Sequence, residues 1–197
     1  MNATEVQAGY RPVQDSTLKT LTGSAIMESI GALVTMALAI VGLAGVFSGS
    51  LAAIATIIMG AAIVIEGGGM AASYTAGEVR ALTLGAALDS RQGLAAEFLG
   101  GLSGIVLGIL ALLGVAPITL LAVAALTLGA AFLFSSSVNI GVGTQSMLGF
   151  AALVLGLLAV SGLNPLTLVL VALVCLGAAA FFRGAATSAR VAVTEHR

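Results

Sequence analysis

Two sets of polar residues interrupt an otherwise apolar chain, and each set occupies one equivalent position of an internal repeat. Glu28, Glu97 and Gln145 form the first set; Glu66, Ser135 and Arg183 form the second. Ionisable groups held near lipid are costly, so they pair, neutralise or line a path for ions. Glu28 and Glu97 stand where apolar runs begin, and a carboxylate there complements a helix macrodipole by roughly 0.3–1 kcal/mol. Arg183 ends such a run, which suits the opposite pole and lets its stem snorkel to the headgroups. Glu66 has the wrong sign for the end of the run that precedes it, so it needs a partner or a proton. Arg183, expected at the same depth, is the leading partner, with Ser135 as a neutral member between them. A solvated interfacial carboxylate and a titrating or ion-binding group are the other two readings of Glu66.

Other chemistry is hard to assemble from these residues. His196 is the sole histidine and lies at the tail, and Cys175 is the sole cysteine, inside the last apolar run. No His/Cys metal cluster, no nucleophile with a base beside it and no internal disulfide follows, so no catalytic residue, cofactor or metal site is expected. The Gly67-Gly68-Gly69 triplet lacks the GK[ST] ending and preceding strand of a phosphate loop. A net charge of -1 with scattered basic residues argues against nucleic acid as a partner.

The elements that must position the polar sets are apolar and continuous. Hydrophobic residues make up 59% of the 197 and charged residues 8%, with a mean hydropathy of +1.18. About a quarter of residues are charged in soluble domains, so the excess apolar surface must face lipid. Six runs, near residues 25–46, 50–66, 94–114, 118–135, 146–162 and 166–183, approach the ~20 residues with which a helix crosses a ~30 Å hydrocarbon core. They are rich in Ala and Leu and do not alternate, which disfavours strands. Residues 107–134 align on 155–182, and residues 25–66 align on 94–135, so the unit is a pair of runs used three times.

Orientation follows from the basic residues. All seven, Arg11, Lys19, Arg80, Arg91, Arg183, Arg190 and Arg197, avoid the turns around Ser48, Pro117 and Pro165. The positive-inside rule then puts both termini and the inter-repeat linkers in the cytoplasm. The expected fold is an all-α membrane protein of six transmembrane helices, arranged as three parallel helical-hairpin repeats in the inner membrane. The organisation is an N-terminal segment 1–24, hairpin 25–66, linker 67–93, hairpin 94–135, linker 136–145, hairpin 146–183 and tail 184–197. Parallel copies argue against inverted-repeat transporter folds. The first run exceeds a signal-peptide core and aligns with later spans, so no cleavage is expected. The longer linker opens on its glycine triplet as a flexible exit, with a short interfacial helix over 76–88 stopped by Asp89 and Ser90.

Small residues should set the packing. Gly45, Gly114 and Gly162 suit left-handed caps at the ends of odd helices, Pro117 and Pro165 open the next ones, and Asn164 fits an N-cap. Ser48 stands in place of proline, so the first turn is expected to be looser. Gly104/Gly108, Ala152/Gly156 and Thr35/Ala39 place small residues four apart on odd helices, and Gly60, Gly129 and Gly177 recur on even ones. Such faces let helix backbones approach in lipid. Tyr74, Phe98, Phe134, Phe181 and Phe182 gather at the charged end, as an interfacial aromatic belt does.

The phrases LSGIVLGILALLGVAPITLLAVAALTLGAAFLF and LGFAALVLGLLAVSGLNPLTLVLVALVCLGAAAFF resemble the short hairpin repeat of the HdeD-like bacterial inner-membrane proteins, over residues 25–183. The resemblance implies a non-enzymatic membrane protein linked to acid resistance, with no catalytic motif to carry over. The chain is poorer in aromatic and basic residues than that family and carries the 67–93 insertion. Two functional expectations follow. One is a structural or stress-protective protein whose partners are the bilayer, further copies of itself or other membrane subunits. The other is a small conduit for protons, cations or neutral solutes with Glu28, Glu66 and Glu97 at its cytoplasmic mouth.

Overall fold

A computed structural model describes the backbone of residues 23, 26–75, 84–136 and 143–195, and the side chains of 23, 26–66, 95–134 and 146–185. Every element among them is an α-helix: α1 (Ile26–Leu43), α2 (Ser48–Thr75), α3 (Leu84–Leu112), α4 (Pro117–Ser136), α5 (Gly143–Val160) and α6 (Pro165–Glu195). Five carry stretches long and apolar enough to cross a membrane: Ile26–Leu43, Ser48–Glu66, Ala95–Leu112, Pro117–Phe134 and Pro165–Ala185. The fifth expected span, 146–162, is shorter than expected; its apolar helix is Ser146–Val160.

Several helices outrun their apolar stretches. α2 continues through Gly67–Gly69 to Thr75, so the triplet is helix rather than a flexible exit. Each glycine costs up to about 1 kcal/mol against alanine, but extending a formed helix adds a hydrogen bond per residue without a new nucleus. α3 begins at Leu84 and runs through Asp89 and Ser90, which therefore neither stop one helix nor start another. Asp and Ser favour caps where a chain is already ending, and no proline interrupts this segment. Residues 84–88 of the expected interfacial helix belong to α3, and 76–83 lie outside the described residues. The segment 184–195, expected only as a tail, is the end of α6.

The three tight turns share one conformation. Gly45, Gly114 and Gly162 have φ of 88°, 85° and 89°, and Phe47, Ala116 and Asn164 have φ of 42°, 38° and 39°. The latter three carbonyls accept the first bonds of α2, α4 and α6, from the Leu51, Leu120 and Leu168 N–H groups at 2.9, 3.1 and 3.1 Å. Asn164 thus occupies the N-cap position. The first turn is no looser than the others, because the Ser48 hydroxyl donates to the Gly42 carbonyl at 2.8 Å where the other turns use proline.

Packing reverses the size order of a water-soluble core. Alanine dominates the interior, while Leu99, Met147, Phe150, Leu157 and other large side chains face outward. Lipid is as apolar as leucine, so helices gain by backbone approach rather than by hiding bulk. α2, α4 and α6 touch one another, with α3 seated between α2 and α4 and α5 between α4 and α6. α1 closes the ring: Gly31 abuts Ala62 of α2, and Gly177 of α6 abuts Ala32 and Met36. One buried cluster includes Ala52, Leu121 and Leu170 near the turns; another includes Ile63, Phe132 and Ala179 near the opposite end.

Of the glycines expected at packing faces, Gly60, Gly108, Gly129, Gly156 and Gly177 each meet backbone of a neighbouring helix. A Cβ on Gly60 would lie 2.6 Å from the Gly101 carbonyl oxygen, and one on Gly129 would lie 2.7 Å from the Leu153 nitrogen. Gly104 differs. It faces only the Leu128 side chain of α4, whereas Gly108 faces α2, so the pair does not form one seam.

Candidate functional site

Three close approaches bring the charged residues together. Gly31 against Ala62 aligns α1 with α2, setting Glu28 one turn before the contact beside Glu66 one turn after it. Gly101 against Gly60, Ile63 and Val64 carries Glu97, one turn upstream on α3, to the same place. Gly177 against Ala32 draws α6 onto α1, and Arg183 follows within two turns. Each charge is delivered by a glycine seam within two turns of it.

Glu28, Glu66, Glu97 and Arg183 are all the charged residues among the described side chains, and they form a single cluster. The guanidinium stands at its centre. Arg183 Nε and Nη2 both donate to Glu28 Oε1, at 2.9 and 2.6 Å. Nη2 also donates to Glu66 Oε2, and Nη1 donates to Glu97 Oε1. One face of the guanidinium lies over the Phe132 ring of α4, with Cζ 4.8 Å from its centroid, a cation–π contact. The cluster is deeply buried: Glu28, Glu66 and Glu97 are 1%, 3% and 2% exposed, and the Arg183 side chain 12%.

Depth explains why these charges are tolerated. The 19 residues of Ser48–Glu66 rise about 28 Å from the first turn, close to a full hydrocarbon thickness. The cluster therefore sits at one end of the apolar stretches and not at their middle, a position that suits the long arginine stem. Arginine suits the centre because its planar fork presents five donors to several carboxylates at once.

The geometry revises the sequence reading of individual residues. The Glu66–Arg183 contact is present, but Arg183 binds Glu28 and Glu97 as well. The macrodipole roles fail for Glu97 and Arg183, since α3 starts well before Glu97 and α6 ends well beyond Arg183. A helix dipole acts within the first or last turn, whereas direct charge pairing here is close and shielded from water. Glu66 is likewise no helix terminus, because α2 continues to Thr75. The side chains of Ser135 and Gln145 lie outside the described residues. Phe132 carries no polar signal in the sequence; it stands three residues before Ser135. Phe98, Phe134 and Phe182 are exposed at this end, while Phe181 packs partly into the core. No group of residues suited to a metal ion occurs among the described residues.

The arrangement can do one thing directly: a single guanidinium holds α1, α2, α3 and α6 in register. No protein family, curated protein or solved structure matches this chain.

Proposed function

We propose that this chain is a non-enzymatic integral membrane protein of structural or stress-protective role, working through association with further copies of itself or with other membrane subunits. Its six helices act as three like-oriented hairpins with pseudo-threefold character, in an inner membrane with both termini in the cytoplasm. The equivalent seams Gly60 with Gly101, Gly129 with Gly149 and Gly177 with Ala32 support the threefold reading. The resemblance of the hairpin repeat to the HdeD-like proteins supports the stress-protective one.

The observation that carries the proposal is an interior lined almost wholly by apolar side chains among the described residues. Apart from the charged cluster, the buried polar side chains among the described residues are Thr35 and Thr56. Thr56 donates to the Ala52 carbonyl at 2.7 Å and Thr35 to the Ala55 carbonyl at 3.4 Å, so both hydroxyl hydrogens are committed to backbone. A conduit needs polar groups along its length.

Native mass spectrometry from nanodiscs tests the proposal. A defined oligomer or partner complex is expected, and a strictly monomeric species in every lipid counts against it. In liposomes no flux of protons, sodium or small neutral solutes is expected; flux that falls in Glu66→Gln would replace this reading with the conduit. Orientation is checked on a Cys175→Ala background with an impermeant thiol reagent on intact cells. Leu163→Cys in the third turn should react and Thr194→Cys near the end of α6 should not.

A further inference from the structure

Among the described side chains the charge cluster is unbalanced, and one of its atoms is unserved. Three carboxylates face one guanidinium, and Glu28 Oε2 is buried with no hydrogen-bond partner while Oε1 takes two bonds from Arg183. An ionised carboxylate oxygen buried without a donor is strongly unfavourable. Something positively charged or hydrogen-bond donating belongs there. A metal ion fits poorly: calcium takes 6 to 8 oxygens and magnesium an octahedron, and the described residues hold no such group.

The neighbours of that oxygen narrow the choice. Arg183 Nη2 bonds Glu28 Oε1 and Glu66 Oε2 together, so these two carboxyl groups converge on a single nitrogen. Two ionised carboxylates so placed repel each other, and a proton shared between them relieves that repulsion, as in the dyads where two acids share one. Glu97 meets the guanidinium from another side, at Nη1. From α4 the cluster meets Phe132, which does not titrate, and α5 brings no charged group among the described side chains.

We propose that Glu28 and Glu66 form a binding site for one proton, held between the two carboxyl groups on the Glu28 Oε2 side. The proton satisfies the buried oxygen, removes one excess negative charge and links α1 to α2 directly. Arg183 continues to hold α3 and α6 to that pair. The site goes beyond the structural role proposed above and does not depend on oligomer formation or on conduction.

Infrared difference spectroscopy of the full-length protein in nanodiscs, in neutral H2O and D2O buffers, tests the site. The expected result is a carboxylic-acid C=O band equivalent to one group per chain, shifted in D2O. It should vanish in Glu28→Gln and Glu66→Gln and persist in Glu97→Gln, with circular dichroism confirming that each variant is helical. A folded wild type without the band, or a band that survives both substitutions, overturns the proposal. Solid-state NMR of the wild type labelled with 13C-glutamate reads the same proton without any substitution. One protonated carboxyl carbon is expected, and a spectrum in which all are ionised refutes the site.

Discussion

Replacing Arg183 by methionine removes the only described cation from a cluster that holds three carboxylates, while keeping side-chain bulk over Phe132. The guanidinium makes every hydrogen bond given above for Glu28, Glu66 and Glu97, and its side chain is only 12% exposed, so solvent screens these contacts little. Removing one partner of a buried pair costs about 3–5 kcal/mol, because the other charge stays buried and uncompensated. That corresponds to roughly a hundredfold to several-thousandfold change in the unfolding equilibrium. Reversible unfolding in mixed micelles, titrated with a denaturing detergent and followed by circular dichroism, measures it. The loss should shrink as pH falls, since neutral carboxyl groups no longer repel one another once the cation is gone. The quadruple variant Arg183→Met, Glu28→Gln, Glu66→Gln and Glu97→Gln should recover at least half of the loss, because it leaves no isolated charge. A loss below about 1 kcal/mol for Arg183→Met, the size of an exposed pair, would refute the view that this residue clasps the bundle.

Two further outcomes separate backbone contacts from side-chain ones. Gly60→Ala sets a methyl group 2.6 Å from the Gly101 carbonyl oxygen and should destabilise by about 1–3 kcal/mol in the same assay. Gly104→Ala meets only the end of the Leu128 side chain at 3.1 Å and should be near neutral; equal costs at the two sites would contradict the seam assignment. In the turns, Gly162→Ala forces a Cβ onto a φ of 89° and should cost about 1–2 kcal/mol. Ala116→Asn copies the residue used at the equivalent Asn164 and should raise the thermal midpoint in detergent, whereas a lowered midpoint would contradict the left-handed conformation at that position.

Much of this architecture is written in one dimension. Run length and the lack of charge specify helices that fit a bilayer, and the recurring glycines mark the turns, because only a residue without a Cβ adopts φ near 88° at little cost. Glu28 and Glu97 stand near the starts of apolar runs and Glu66 and Arg183 near the ends of others, which is consistent with the single level at which the structure gathers them. The ends of α2 and α3 differ from the sequence expectation for a local reason. Gly67–Gly69 and Asp89-Ser90 are weak helix formers, yet continuation of a helix already anchored in the bundle outweighs their propensity.

The sequence by itself determined the solvent, the helical class, the turn chemistry and the level at which each charge sits, since these depend on composition and spacing along the chain. Only the tertiary structure decided that Arg183 gathers three carboxylates rather than one, that Phe132 lies beneath it and that Glu28 keeps a buried oxygen without a donor. The physical reason is that these contacts arise where several helices meet, among them α6 closing onto α1 through Gly177 against Ala32. That seam joins residues far apart in the chain, and no local pattern encodes which faces will meet.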